Sequence, residues 1–478
     1  MTQAQALAIL KTGMNVFLTG EPGAGKTHTI NEYVAYLHSR NIEPAVTAST
    51  GIAATHLGGM TIHSWSGIGI KNNLDKHAIN DIATSKYVLK RVRPAKVLII
   101  DEVSMLSPNT LVMVDTVCRV VKQDSRPFGG LQVIFVGDFF QLPPIVKKNY
   151  NENASEQTEF LEEPVGRFAF DSPAWERAKP IVCYLTEQYR QDDKVFLDLL
   201  SAIRHNVFND QHLPHLEARK VERESAPEHA PKLFSHNVDV DSVNEAMLEK
   251  LPSQRRTFKL SSVGHHVLVS ILQKGCLSPE TLCLKTGAAV MFTKNNQREG
   301  FVNGTLGKVL GFDGTSGLPI VQTRDGLKIE VKKMDWTVEE NGEIRAQISQ
   351  LPLRLAWAIT VHKSQGMSLD EAVMDLSQVF EFGQGYVALS RVRRLSGLHL
   401  LGWNDRAFQV HPEVLAKDES FRLASQEVEK TFTEISPAEL QETHESFITS
   451  IGGKDACARP TFFKAQKKKK KRRKLSTD

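Results

Sequence analysis

The stretch Val16-Phe-Leu-Thr-Gly20-Glu-Pro-Gly-Ala-Gly-Lys26-Thr27 constrains this chain more than any other. A short apolar run ends in a loop that fits G-x-x-x-x-G-K-[ST], and an apolar helical pattern (Ile30, Val34, Leu37) follows at once. Glycines let backbone amides wrap an anion, and the start of the following helix favours negative charge there. The segment from Gly20 through Gly23, Ala24, Gly25, Lys26, Thr27 and His28 is thus a phosphate cradle. Lys26 is placed to bridge the β- and γ-phosphates of ATP and the Thr27 hydroxyl to bind Mg²⁺. The bland alternative is an incidental glycine-rich turn, which the strand-and-helix context disfavours.

A loop of this kind needs a parallel sheet around it. The runs Ala45-Val-Thr47, Val97-Leu-Ile-Ile100 and Val133-Ile-Phe-Val136 are short, β-branched or aromatic, and bounded by glycine or charge, so they read with Val16–Thr19 as buried strands. Two runs end in chemistry. Asp101 and Glu102 follow Ile100, where Asp101 would hold Mg²⁺ and Glu102 would polarise an attacking water. Taken alone, that acidic pair could equally cap a helix. Gly137-Asp138-Phe-Phe-Gln141-Leu-Pro-Pro144 follows Val136, and a glutamine held there by prolines can bond a γ-phosphate.

The chain's 478 residues suffice for about three domains. No stretch approaches the roughly 20 apolar residues of a membrane span, and the start shows neither a secretory signal nor an Arg-rich leader. Five scattered cysteines read as free thiols in a reducing, cytoplasmic compartment. Lys467 to Lys474 are all basic, so the remaining 51 basic residues face 55 acidic ones and leave the body at −4. An acidic body binds nucleic acid only through a local groove. The basic run reads as a non-specific DNA arm, a nuclear-import signal or only a solvated tail.

The order of motifs resembles the Pif (petite integration frequency) family of helicases, in the RecD-like branch of superfamily 1. Thr47-Ala-Ser-Thr-Gly-Ile-Ala-Ala54, Gly58-Gly-Met-Thr-Ile-His63-Ser64 and Asp101-Glu-Val-Ser-Met-Leu106 look like its early motifs. Leu185-Thr-Glu-Gln-Tyr-Arg190, Thr360-Val-His362-Lys363-Ser-Gln365-Gly366 and Gly383-Gln-Gly-Tyr-Val-Ala-Leu-Ser-Arg391 look like its later ones. Arg126-Pro-Phe-Gly-Gly-Leu-Gln132 resembles the signature that sets Pif proteins apart. The likeness runs from Gln3 to about Trp403, although Glu21-Pro22 replaces the small residues usual in this family's loop.

The resemblance implies an α/β fold of two RecA-like parallel-sheet domains with ATP between them. Residues 1–184 would form the first, with a strand-separating insertion near 66–80. Residues 185–280 and 348–425 would form the second, with 281–347 an SH3-like β-barrel insertion; beyond the likeness, the Glu- and Thr-rich composition of 426–478 reads as a C-terminal extension leading into a disordered basic tail. Gln3 would read adenine, and Arg190 and Arg391 would reach the γ-phosphate. Thr50, Gly51, His63, Asn237, Thr360, His362 and Lys363 would contact single-stranded DNA. The expected protein is a monomeric 5′-to-3′ helicase acting on forked or tailed duplexes, with RNA–DNA hybrids and G-quadruplexes as further substrates. The competing reading is a DNA-stimulated ATPase that acts as a switch or clamp without unwinding.

Overall fold

All four apolar runs become adjacent or near-adjacent strands of one six-stranded parallel sheet. Its strands are β1 (Val16–Gly20), β2 (Ala45–Ala48), β3 (Met60–Thr61), β4 (Val97–Asp101), β5 (Gln132–Val136) and β6 (Ile181–Leu185), in the order β3-β2-β4-β5-β1-β6. This computed structural model describes residues 1–454 except 51–52, 55–58, 70, 72, 145–165, 188–192, 228–229, 235–236, 295, 297, 302, 341–342, 362–363 and 365–368. Both faces of the sheet are covered, which is why its strands are apolar throughout. On one face Val16, Leu18, Val97, Ile99, Ile134 and Val136 pack against α1 (Gln3–Leu10) and α2 (Lys26–Ser39). On the other, Phe17, Leu98, Ile100, Val133 and Phe135 pack against helix Pro108–Lys122, whose Leu111, Val114, Val117 and Val121 form one buried stripe.

A second parallel sheet has the strand order Ala358–Thr360, Lys232–Phe234, Ala372–Leu376, Leu398–Trp403. A β-rich insertion lies between its first two strands in sequence, with a core of Leu282, Val290, Phe292, Phe301, Val309 and Val321. That insertion is wider than 281–347. Arg256–Lys259 pairs with Thr281–Leu284, Ser261–Gly264 with Glu343–Gln350, and Leu353–Leu355 with Ala289–Phe292. The boundary escaped the sequence because Ser261–Gly264 is exposed at every position and so carries no apolar alternation.

From Gln426 to Ser450 the chain is almost wholly helical, against the expectation of an extension leading into a disordered tail. One helix runs through Gln426, Pro412–Glu434, and a second follows, Pro437–Ser450, started by a Ser436–Glu439 capping box. Both pack on the first sheet domain. Val414, Asp418, Phe421 and Ser425 form the buried stripe of the longer helix, with Phe421 set among Phe17, Phe139 and Phe170. Half of that stripe is polar, which masks the apolar period. Ser425 satisfies an edge-strand donor, since its hydroxyl accepts from the Tyr184 amide of β6 at 3.0 Å. In the second helix Ile448 is buried, His444 donates to the Ala8 carbonyl at 2.8 Å, and the Phe447 ring lies against Gly13. A Cβ at Gly13 would stand 2.1 Å from that ring, and its φ of +84° also demands glycine.

Candidate nucleotide site and strand-facing residues

The strand order brings the chemistry together. β4, β5 and β1 are neighbours, and their C-terminal ends carry Asp101-Glu102, Asp138–Gln141 and the glycine loop respectively. Open parallel sheets bind ligands at this edge, where the order reverses.

Gly20, Gly23 and Gly25 hold φ of +144°, +94° and +88°, backbone that a side chain would strain. No side chain caps the start of α2, so its first turn faces the loop as an anion site does. Lys26 Nζ donates to the Gly20 carbonyl at 2.7 Å and the Glu21 carbonyl at 3.0 Å, folding the ammonium over the loop. Gln3 meets the same loop, its side-chain amide donating to the Ala24 carbonyl at 3.2 Å. A Cβ at Gly25 would lie 1.9 Å from that amide nitrogen, so loop and Gln3 are closely fitted. Thr27 and His28 are exposed on the first turn of α2.

Asp101 ends β4, and its carboxylate accepts from the Glu102 amide at 2.9 Å. Glu102 itself sits at φ +51°, a left-handed turn that swings its side chain out of the strand line. Burial first, and then the charge of Glu102, raise the Asp101 carboxyl to about 7, while the Lys26 ammonium opposes the rise. A hard oxygen pair, Thr27 and Asp101, with excess negative charge beside a phosphate cradle fits a divalent cation such as Mg²⁺.

Asp101→Asn is therefore expected to stabilise the nucleotide-free protein at pH 8 by about 1–3 kcal/mol, and by less at pH 5. The unfolded chain releases this proton near 3.8 and the folded one near 7, so wild-type stability falls across that interval and the amide's does not. Thermal melts at the two pH values check this; an equal shift at both would remove buried charge as the cause.

Gln141 is buried and its amide donates to the Asp138 carbonyl at 3.0 Å. The second domain closes on this loop. Gly383, at φ +76°, packs so tightly that a Cβ would lie 2.5 Å from the Phe140 carbonyl. Arg391 is 1% exposed at the end of helix Gln384–Leu389, donating from Nε to the Val387 carbonyl and from Nη2 to the Ser390 hydroxyl, both at 2.8 Å. Arg190 lies outside the described residues.

Thr50, His63 and Thr360 stand at or just beyond the C-terminal ends of parallel strands. The Thr50 hydroxyl accepts from the Ala53 amide at 3.3 Å; Thr360 is buried; burial lowers the His63 imidazole below its usual range. Gly51, His362, Lys363 and the side chain of Asn237 lie outside the described residues. Among the described residues, no cluster of three His, Cys, Asp or Glu side chains is placed to hold a metal, and no helix is long and apolar enough to cross a membrane.

Sequence reading missed one group, a buried arginine cluster centred on Arg204. A signal was present. Phe196, Leu199, Leu200 and Ile203 mark an apolar helical stripe, and Arg204 occupies its next position.

A parallel sheet with a glycine loop running into a helix after β1, acids after β4, a glutamine loop after β5 and a second parallel sheet closing on that loop defines a two-domain, RecA-like P-loop protein. Residues 2–210 match the PIF1-like helicase family and residues 268–312 match the DNA helicase Pif1 2B domain. The chain is 40% identical to the ATP-dependent DNA helicase Pif1 of Psychrobacter sp., covering 99% of this chain and 78% of that one. It is 37% identical to the Xenopus laevis protein named ATP-dependent DNA helicase PIF1, covering 86% of this chain and 63% of that one, so it spans under two thirds of that vertebrate relative. Among solved structures, Bacteroides sp. Pif1 in complex with ADP-AlF4 superposes with a TM-score of 0.75 at 29% identity, covering 88% and 96% of the two chains. Bacteroides Pif1 bound to single-stranded DNA gives 0.61 at 30% identity over 87% and 96%. This chain belongs to the PIF1-like helicase family.

Proposed function

We propose that this protein is an ATP-dependent DNA helicase that moves 5′ to 3′ along a single strand and unwinds forked or tailed duplex. The observation that carries the reading is the convergence of the glycine loop, Asp101-Glu102 and Gln141 on one sheet edge, against which the second domain packs. Relatives named ATP-dependent DNA helicases, and a Bacteroides homologue crystallised with a nucleotide analogue and single-stranded DNA, support it.

In this reading Lys26 exchanges its bonds to the Gly20 and Glu21 carbonyls for the β- and γ-phosphates, and Gln3 orients the base. Thr27 and Asp101 would hold Mg²⁺, which when bound supplies charge neutralisation at the phosphates. Glu102 orients and polarises the attacking water. Gln141 bonds the γ-phosphate and loses that bond after hydrolysis. Arg190 and Arg391 bring positive charge from the second domain, tying hydrolysis to closure. Thr50, Gly51, His63, Asn237, Thr360, His362 and Lys363 grip the strand through backbone and small polar groups, because a motor must slide without reading sequence. Cleft closure and reopening with alternating grip then move the DNA. RNA–DNA hybrids and G-quadruplexes are further substrates of the same track. The β-rich insertion would be an SH3-like module, and the working unit a cytoplasmic monomer.

Two partial duplexes of equal length test the proposal. Unwinding is expected with a 5′ overhang and ATP, and little or none with a 3′ overhang. Efficient unwinding of the 3′-tailed substrate alone overturns the direction. ATPase activity without strand displacement on either substrate favours the switch or clamp.

A further inference from the structure

Helix Lys194–Arg204 follows the exit of the chain from the first sheet and packs on helix Gln384–Leu389. Its last residue points back into the first domain. Arg204 is 1% exposed, and its two terminal amino groups face opposite ways. Nη1 donates to both oxygens of Asp138, at 2.9 and 3.0 Å, and to the Tyr386 hydroxyl at 3.2 Å. Nη2 donates to the Tyr184 hydroxyl at 2.9 Å and lies 3.6 Å from Asp418. The Phe140 ring covers the guanidinium face at 4.0 Å.

The hydrogen-bonding and charged partners come from four separate segments of the chain. Asp138 begins the turn that presents Gln141: one of its side-chain oxygens accepts from the Phe140 amide at 3.3 Å and its carbonyl from the Gln141 amide at 3.0 Å. Tyr386 lies on the second domain's helix, three residues after Gly383, which abuts the same turn. Tyr184 lies on β6, and Asp418 comes from the C-terminal helix, where Arg422 pairs with it at 2.7 Å. A planar guanidinium cannot move one of its forks without moving the other. Burial works against its charge, and Asp138, nine-tenths or more buried itself, outweighs that only together with Tyr184, Tyr386 and Asp418.

We infer that Arg204 is a positioning residue that couples the Gln141 turn to the second domain through Tyr386, so that DNA-induced movement of that domain changes the rate of nucleotide hydrolysis. The inference rests on the helicase reading above. It assigns Arg204 no contact with the nucleotide; it acts through Asp138. A purely structural staple would hold the domains together without altering turnover. The two roles separate in kinetics.

The experiment compares wild type, Tyr386→Phe, and the double variant Arg204→Met with Asp138→Leu. Removing one partner of a buried pair leaves an uncompensated charge, whereas replacing both with apolar groups is commonly tolerated. Each protein is assayed for melting temperature, ATPase with and without single-stranded DNA, KM for ATP, and Kd for a single-stranded oligonucleotide. In the double variant, which also loosens the Gln141 turn, kcat with saturating DNA is expected to fall about tenfold, further than the DNA-free rate falls, while Kd for the oligonucleotide changes less than about twofold. Tyr386→Phe deletes one hydroxyl without leaving a cavity, and should lose about threefold in the DNA-stimulated kcat alone. Retention of full DNA stimulation by Tyr386→Phe overturns the inference, even if the double variant does not fold. A lower melting temperature with unaltered kinetics does so as well, and makes the cluster a staple. Failure of the helicase reading itself would be seen separately in wild type, as ATP hydrolysis without strand displacement.

Discussion

Lys26→Ala is expected to lower ATP hydrolysis by about 10²–10³-fold or more, since one preorganised cation aimed at developing charge contributes on that scale. In the structure its ammonium holds two loop carbonyls, Gly20 and Glu21, so the loop also loses an internal tie and nucleotide affinity should fall with turnover. Glu102→Gln provides the contrast. Its amide keeps the shape and the left-handed turn, so nucleotide binding should persist while hydrolysis slows by a similar factor. Phosphate release and binding of a fluorescent nucleotide separate the two variants. Near-normal turnover in Glu102→Gln would place water activation on another group.

Phe421→Ala should destabilise the protein by about 3–5 kcal/mol, the range for truncating a buried aromatic. The ring lies 5.0 Å from Phe17 of β1, in edge contact, with Phe139 and Phe170 around it. Phe17 precedes the glycine loop by a few residues and Phe139 precedes Gln141, so the C-terminal helix braces the sheet beneath both loops. Leu423, two residues away and exposed, is the control: Leu423→Ala should shift stability by no more than about 0.5 kcal/mol. Denaturant unfolding measures both. Equal small effects would show that the helix is only lightly docked.

The shape of the glycine loop was legible because its constraints are local. Glycines at positive φ, a lysine one residue later and a strand before them are all sequence neighbours, and the same is true of Asp101-Glu102 at the end of four apolar residues. The family likeness, read from motifs dispersed between Gln3 and Trp403, is supported by a relative aligned over 99% of the chain. Two features escaped the sequence for one reason. Ser261–Gly264 and the stripe Asp418–Ser425 are held by what they pair with far along the chain rather than by their own periodicity.

The division follows the range of the forces. Backbone conformation at glycine, helix starts and apolar alternation act over a few residues. The strands of the first sheet, the loop that would cradle phosphate and the acids beside it therefore follow from the order of amino acids. The order β4-β5-β1, which sets those acids and Gln141 beside the loop, comes from crossovers that pack helices on both faces of the sheet. The Arg204 cluster is further removed still. Its five buried partners lie at positions 138, 140, 184, 386 and 418, and no local pattern links them. Folding brings them into one desolvated interior, where their charges and hydroxyls come to depend on one another.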